Sequence, residues 1–145
     1  MEVKIEIALY VDGSCVNNGK EHSNMGAGVR AVFIATGLKR EYHQEFGHGT
    51  NNQAELLAIQ LGLEKIIKDR HKADVTIYSD SQYAIGCLSD TKWKPKINLE
   101  LIRQIKQLMA EFKSVTFIKV KGHSNHIGND AADDLATRAS GKRKI

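Results

Sequence analysis

Four acidic residues scattered along the chain, Asp12, Glu55, Asp80 and Asp133, have the type and setting to hold divalent metal. Asp12 and Asp80 each close an apolar run and precede a turn or helix start, in Val11-Asp12-Gly13-Ser14 and Ser79-Asp80-Ser81. Ligands in open α/β sheets collect at such carboxyl ends of strands. Aspartate is also a common turn and N-cap residue, so either one alone carries little weight. Two of them on strands able to lie side by side carry more. Glu55 ends Asn52-Gln53-Ala54-Glu55, which fits a capping box. Helical spacing nevertheless puts it about 60° or less from Ile59 and Ile66, on a sheet-facing shoulder that a cap does not need and a metal ligand does. In the C-terminal segment, Ala132, Leu135, Ala136 and Ala139 define an apolar stripe. Asp130 and Asp134 fall roughly 160° from that stripe and Asp133 about 100°, so Asp133 is the acid that reaches the sheet's edge.

Carboxylates gathered at one spot raise one another's pKa unless cations neutralise them. All-oxygen ligands select hard ions such as Mg2+ or Mn2+. Two such ions roughly 4 Å apart serve in-line phosphoryl displacement, one activating water and the other stabilising the departing 3′ oxygen. The constellation implies phosphodiester hydrolysis, and no partnered Ser or Cys nucleophile competes with it. His123, in Lys121-Gly122-His123-Ser124, is a candidate for moving a proton to the water or helping product leave, with His126 the next candidate. A surface histidine is the plain alternative, since the chain has 6.

Those residues need elements to bring them together. Val3 to Val11 alternates as a strand ending at Asp12, and Gly13 to Asn24 reads as a loop. Ala27–Ala35 and Lys39–Phe46 read as a hairpin. Over 52–70 the period becomes helical, with Leu56, Ile59, Leu63, Ile66 and Ile67 on one stripe. Val75–Ser79 is a short strand, Ser81–Leu88 a brief helix, and Asn98–Phe112 a longer helix with Leu101, Ile105 and Leu108 on one face. Val115–Val120 is the last strand, and a final helix closes the chain. This order predicts an α/β mixed sheet with helices on its faces, its later strands parallel because helical crossovers join them.

The 145 residues suit one domain, taken as 1–140 with a basic tail at 141–145. No run approaches the roughly 20 apolar residues of a membrane span, and the N-terminus lacks a signal peptide's shape. Cys15 and Cys87 are too few for a disulfide framework, which suits a reducing, cytoplasmic setting. A net charge of +4 is compatible with a polyanionic partner and equally with an ordinary solvated surface.

Asp12-Gly13-Ser14, Thr50-Asn51-Asn52-Gln53-Ala54-Glu55-Leu56, Ser79-Asp80-Ser81-Gln82-Tyr83, Val120-Lys121-Gly122-His123-Ser124 and Asn129 to Ala136 together resemble the landmark segments of type 1 ribonuclease H, in order. The resemblance runs through nearly the whole chain. It implies a ribonuclease H-like fold: a five-stranded mixed sheet of order 3-2-1-4-5, strand 2 antiparallel, flanked by helices. It implies endonucleolytic cleavage of the RNA strand of an RNA–DNA hybrid, leaving 5′-phosphate and 3′-hydroxyl ends. Asp12, Glu55, Asp80 and Asp133 would hold two Mg2+ ions, with Mn2+ an alternative, and His123 would assist turnover. Asn18, Asn52 and Gln82 would read the minor groove and its 2′-hydroxyls, and Thr50 would contact a DNA-strand phosphate. Turn and cap roles are the plain alternatives for these four, and for Asn51 a turn or cap role is the preferred reading.

Two departures bear on substrate affinity. The basic protrusion many members carry is reduced to Ser89–Lys96, where three lysines and Trp93 form either a small substitute or a solvated loop with Trp93 anchored in the core. The loop after strand 1 is Asn17 to Asn24 in place of the usual glycine- and proline-rich one. The domain alone is expected to bind the hybrid, as a monomer; the tail Lys142-Arg143-Lys144 either helps electrostatically or, by default, is a disordered solubilising end. A DNA nuclease or strand-transferase on the same fold, or a catalytically silent hybrid-binding module, are the competing readings.

Overall fold

The computed structural model describes residues 4–90, 92–121 and 127–142. The strands are β1 (Ile5–Val16), β2 (Asn24–Phe33), β3 (Leu38–Gly47), β4 (Ala73–Ser79) and β5 (Ser114–Lys119). The α-helices are α1 (Asn51–Lys65), α2 (Gln82–Ser89), α3 (Leu99–Met109) and α4 (Ile127–Ser140), with a single 3-10 turn at Arg70–Lys72. The five strands form one sheet in the order β3-β2-β1-β4-β5. β1 runs antiparallel to β2 and parallel to β4, which in turn is parallel to β5, as the helical crossovers require.

The two faces are covered differently. Leu9, Val11, Val29 and Ile77 are fully buried with Leu56, Ile59 and Leu63 of α1, and Ile102 and Ile105 of α3 join the same core. Alternation sends the intervening β2 residues to the other face, where Gly26 and Gly28 lie directly beneath α4. A Cβ at either position would collide with the α4 backbone.

Several boundaries depart from the periodicity. β1 does not stop at Asp12 but continues to Val16, because its pairing with β2 extends to Val16↔Asn24 while its pairing with β4 ends at Tyr10↔Tyr78. Gly13-Ser14 is strand rather than turn. α1 ends at Lys65, so Ile66 is buried as its C-cap while Ile67 is 79% exposed and outside the stripe. On α3 the buried pair is Ile102 and Ile105, with Leu101 and Leu108 only half-buried. On α4 the buried positions are Gly128, Ala132, Ala136, Thr137 and Ser140, whereas Leu135 is half-buried. The contact face beyond the first turn is therefore centred about 70° closer to Asp133 than the alanine–leucine stripe indicates.

Candidate active site

Asp12 lies where β1 runs on past the last β4 pair, and Asp80 directly follows Ser79 at the end of β4. The two are thus neighbours at the carboxyl edge of adjacent parallel strands. Glu55 reaches them from α1 because that helix comes unusually close to β1 at Gly13. A Cβ there would strike the Ala54–Glu55 backbone, so the approach requires glycine. The Gly13 amide donates to Glu55 Oε1, fixing that carboxyl against the strand.

The helix start differs from the capping box read around Asn52. Thr50 is the N-cap, and its Oγ1 accepts from the Gln53 amide at 3.2 Å. Glu55 is two residues beyond the N3 position and has no capping duty. It is nearly fully buried, Asp12 is half-buried, and Asp80 is exposed. One carboxylate oxygen from each of these three lies within 4.8 Å of the others.

Asp133 lines the same recess, of about 390 Å³, with Asp12, Glu55 and Asp80. It stands outside the tight group of three, yet its charge acts on Asp12. Asp130 is exposed, and Asp134 pairs with Arg138 at 3.0 Å, so the shoulder position of the wheel is the one that reaches the site.

Burial pushes the Asp12 carboxyl up from 3.8 to about 8; its hydrogen bond with Glu55 opposes this, and the charges of Asp80 and Asp133 add to it. Glu55 is raised well above its ordinary value by burial first and then by the charges of Asp12 and Asp80. Acids held this closely keep protons unless a cation replaces them. The donors are all carboxylate oxygens and partly desolvated, which fits a hard divalent ion.

Of the residues expected to meet substrate, Asn52 and Gln82 line the recess. Asn18 does not line it, but its Oδ1 accepts from the Asn51 amide at 2.7 Å, tying the loop after β1 to the start of α1. Thr50 is adjacent and serves as a cap. Asn51, read as a turn or cap residue, is the first residue of α1 and also lines the recess. His123 and His126 lie outside the described residues.

Further residues shape or line the site. Ser23 is buried, accepts from the Gly49 amide at 3.1 Å and meets His48 Nδ1 at 2.5 Å. With the Gly19 amide donating to Gly49 O at 3.1 Å, this laces the loop after β1 to the segment before α1. Ser81 caps α2 by accepting from the Ala84 amide at 3.0 Å. Ser81, Tyr83, Thr137 and Lys142 all line the recess. A cap signature Ser-x-x and a glycine after α4 were the available signals for Ser81 and Lys142; Ser23 and His48 leave none, because their contact spans 25 residues. In the connection after α2, Trp93 lies across Gly86 and remains 38% exposed, neither a core anchor nor a free side chain.

Comparison with known proteins gives the family. The RNase H family model matches residues 4–141. A Ribonuclease H of Desulforamulus reducens is 33% identical, the match covering 93% of this chain and 87% of that protein. A Ribonuclease H of Clostridium botulinum is 32% identical over 92% of this chain and 95% of that one. Among solved structures, the N-terminal RNase H domain of a Mycobacterium tuberculosis protein shares the fold, with a TM-score of 0.80, 23% identity and 95% coverage of each chain. LC9-RNase H1, described as a type 1 RNase H with the type 2 active-site motif, gives a TM-score of 0.81 at 26% identity, covering 97% of this chain and 74% of that one. A sheet of this order, a recess of acids at its carboxyl edge and relatives alike over nearly their whole length have one common explanation: the chain belongs to the RNase H family.

Proposed function

We propose that the chain is an endonuclease that hydrolyses the RNA strand of RNA–DNA hybrids, leaving 5′-phosphate and 3′-hydroxyl ends. The observation that carries this is the convergence of Asp12, Glu55 and Asp80 oxygens within 4.8 Å, from three separate elements of a nuclease-family fold. Together with Asp133 these residues would hold divalent cations, Mg2+ first and Mn2+ as an alternative. When bound, such ions supply Lewis-acid activation of water and offset charge on the departing oxygen.

The chain's own residues do the rest. The Gly13 amide holds Glu55 in place before substrate arrives, so little reorganisation is needed on binding. Asn52 and Gln82, with Asn18 beside them, present amides that hydrogen-bond base edges and 2′-hydroxyls, the groups that separate RNA from DNA. Thr50 keeps a hydroxyl proton to donate to a phosphate while its oxygen caps α1. His123 would carry a proton to or from the reacting water.

All four acids come from one chain, which suits a monomeric enzyme, with 1–140 as the catalytic domain. The free, buried Cys15 and Cys87 suit a reducing cytoplasm. Among the described residues no helix is long and apolar enough to cross a membrane.

The test incubates the protein with hybrid, duplex RNA and duplex DNA of one sequence, in Mg2+ and then in EDTA. Cleavage of the hybrid's RNA strand alone, abolished by EDTA, is the expected result. Cutting of duplex DNA would favour a DNA nuclease on this fold, and binding without cutting a silent hybrid-binding module.

A further inference from the structure

Among the described residues lining the acidic recess, one is basic: Lys142. Its place follows from how α4 ends. Gly141 takes φ +80°, a left-handed conformation that suits glycine. The Gly141 amide donates to Arg138 O at 3.2 Å and the Lys142 amide to Thr137 O at 2.9 Å. This pair of bonds is a Schellman closure, and it turns the chain back beside Thr137, itself buried and part of the recess.

The helix end is anchored to the sheet as well. Ser140 Oγ donates to Ser14 Oγ at 3.1 Å, and Asn24 Nδ2 donates to Ser140 O at 2.9 Å. Lys142 thus follows a helix terminus tied to both β1 and β2.

The other side of the recess contributes Asn51, Asn52 and Gln82, whose neutral amides order hydroxyls and bases but cannot neutralise a phosphate. A polyanionic strand entering among carboxylates needs positive charge there. An ammonium on a flexible stem is suited to a phosphate oxygen as a point charge. We propose that Lys142 is a substrate-binding residue that contacts a phosphate oxygen of the strand being cut. This rests on the reading of the recess as a phosphodiesterase site.

The experiment measures hybrid cleavage in Mg2+ by the full chain and its Lys142→Gln and Lys142→Arg variants, from 50 to 200 mM salt. Binding of hybrid in Ca2+, followed by fluorescence anisotropy, is measured alongside. For Lys142→Gln the expected result is a rise in KM and in Kd of about tenfold, with a smaller change in kcat. The slope of log Kd against log salt should shallow by roughly 0.7–0.9, the signature of one lost phosphate contact. Lys142→Arg should restore most of both. A structural role in the helix end would shift the melting temperature without altering the salt slope. Unchanged KM, Kd and salt slope in Lys142→Gln would overturn the proposal while cleavage by the unmodified chain still upheld the function. If the unmodified chain binds hybrid but does not cut it, the function fails, and the slope in Ca2+ still decides the Lys142 contact.

Discussion

α1 and α4 press on the sheet from opposite faces, and each delivers one acid, but they are held by different forces. α1 buries Leu56, Ile59, Leu61 and Leu63, so its register is set by large apolar side chains interlocked with β1 and β2. α4 buries no side chain larger than threonine, and it approaches backbone to backbone over Gly26 and Gly28. Polar ties, Ser140 to Ser14 and Asn24 to Ser140, hold its end. The acids follow suit: Glu55 is nearly fully buried inside the close carboxylate group, whereas Asp133 is half-buried at its margin. The sheet builds one wall of the site by bulk and the other by close approach.

The contrast can be broken most sharply by chemistry. Glu55→Gln should lower hybrid hydrolysis in Mg2+ by about 10³-fold or more, since it removes charge from the close group. Asp133→Asn should cost roughly ten- to a hundredfold less than that. Equal losses in the two single variants would show that the margin and the centre of the site act as one unit.

Packing supplies the next largest effect. Leu56→Ala leaves a cavity in the α1 core and should cost about 2–5 kcal/mol in denaturant unfolding. Gly28→Ala forces a methyl against the α4 backbone and should cost about 1–3 kcal/mol. Because α4 must shift outward, Gly28→Ala should also reduce hydrolysis beyond what its residual stability explains. A Gly28→Ala protein with full activity would mean that α4 can adjust without moving Asp133.

Protonation gives the smallest effect and concerns the centre alone. Asp12 titrates near 8 in the folded chain against 3.8 ordinarily, so the unfolded chain loses this proton first as pH rises. Stability in EDTA should therefore fall between about pH 4 and pH 8 and be fully present below that window. Glu55, raised in the same sense, adds to the slope. Asp12→Asn should flatten the melting-temperature profile across this range, and millimolar Mg2+ should raise the profile chiefly at its alkaline end. A melting temperature that climbs from pH 5 to pH 8 in EDTA would contradict the buried, mutually repelling arrangement.

The same contrast governs what could be read from the residues. The α1 stripe was legible through Leu56, Ile59, Leu63 and Ile66, because bulk and period speak together. The parallel arrangement of the later strands followed from the lengths of their crossovers, whereas the order 3-2-1-4-5 came from the resemblance of five motifs. Small residues spoke less clearly. Thr137 and Ser140 do not register as apolar, so the alanine–leucine stripe puts the buried face of α4 too far round, although Asp133 still lines the recess. Gly13-Ser14 looks like a turn in sequence because its glycine serves a helix 42 residues away. The helix start reads two residues late, because Asn52 offers a capping box as good locally as the Thr50 cap. Ile67 kept the helical period after the helix had ended, since periodicity does not see the turn at Asp69, where φ is +56°.

The face of β1 and β2 that carries Ser14, Gly26 and Gly28 is covered by residues near the end of the chain. During synthesis those strands leave the ribosome more than a hundred residues before Ser140, the partner of Ser14, can reach them. Contacts so distant in sequence form slowly. A nascent chain can therefore assemble β1, β4 and α1, and with them Asp12, Glu55 and Asp80, while one side of its sheet is still bare. Nuclease activity and protection of that bare side would then be gained together, in the single late event of α4 docking.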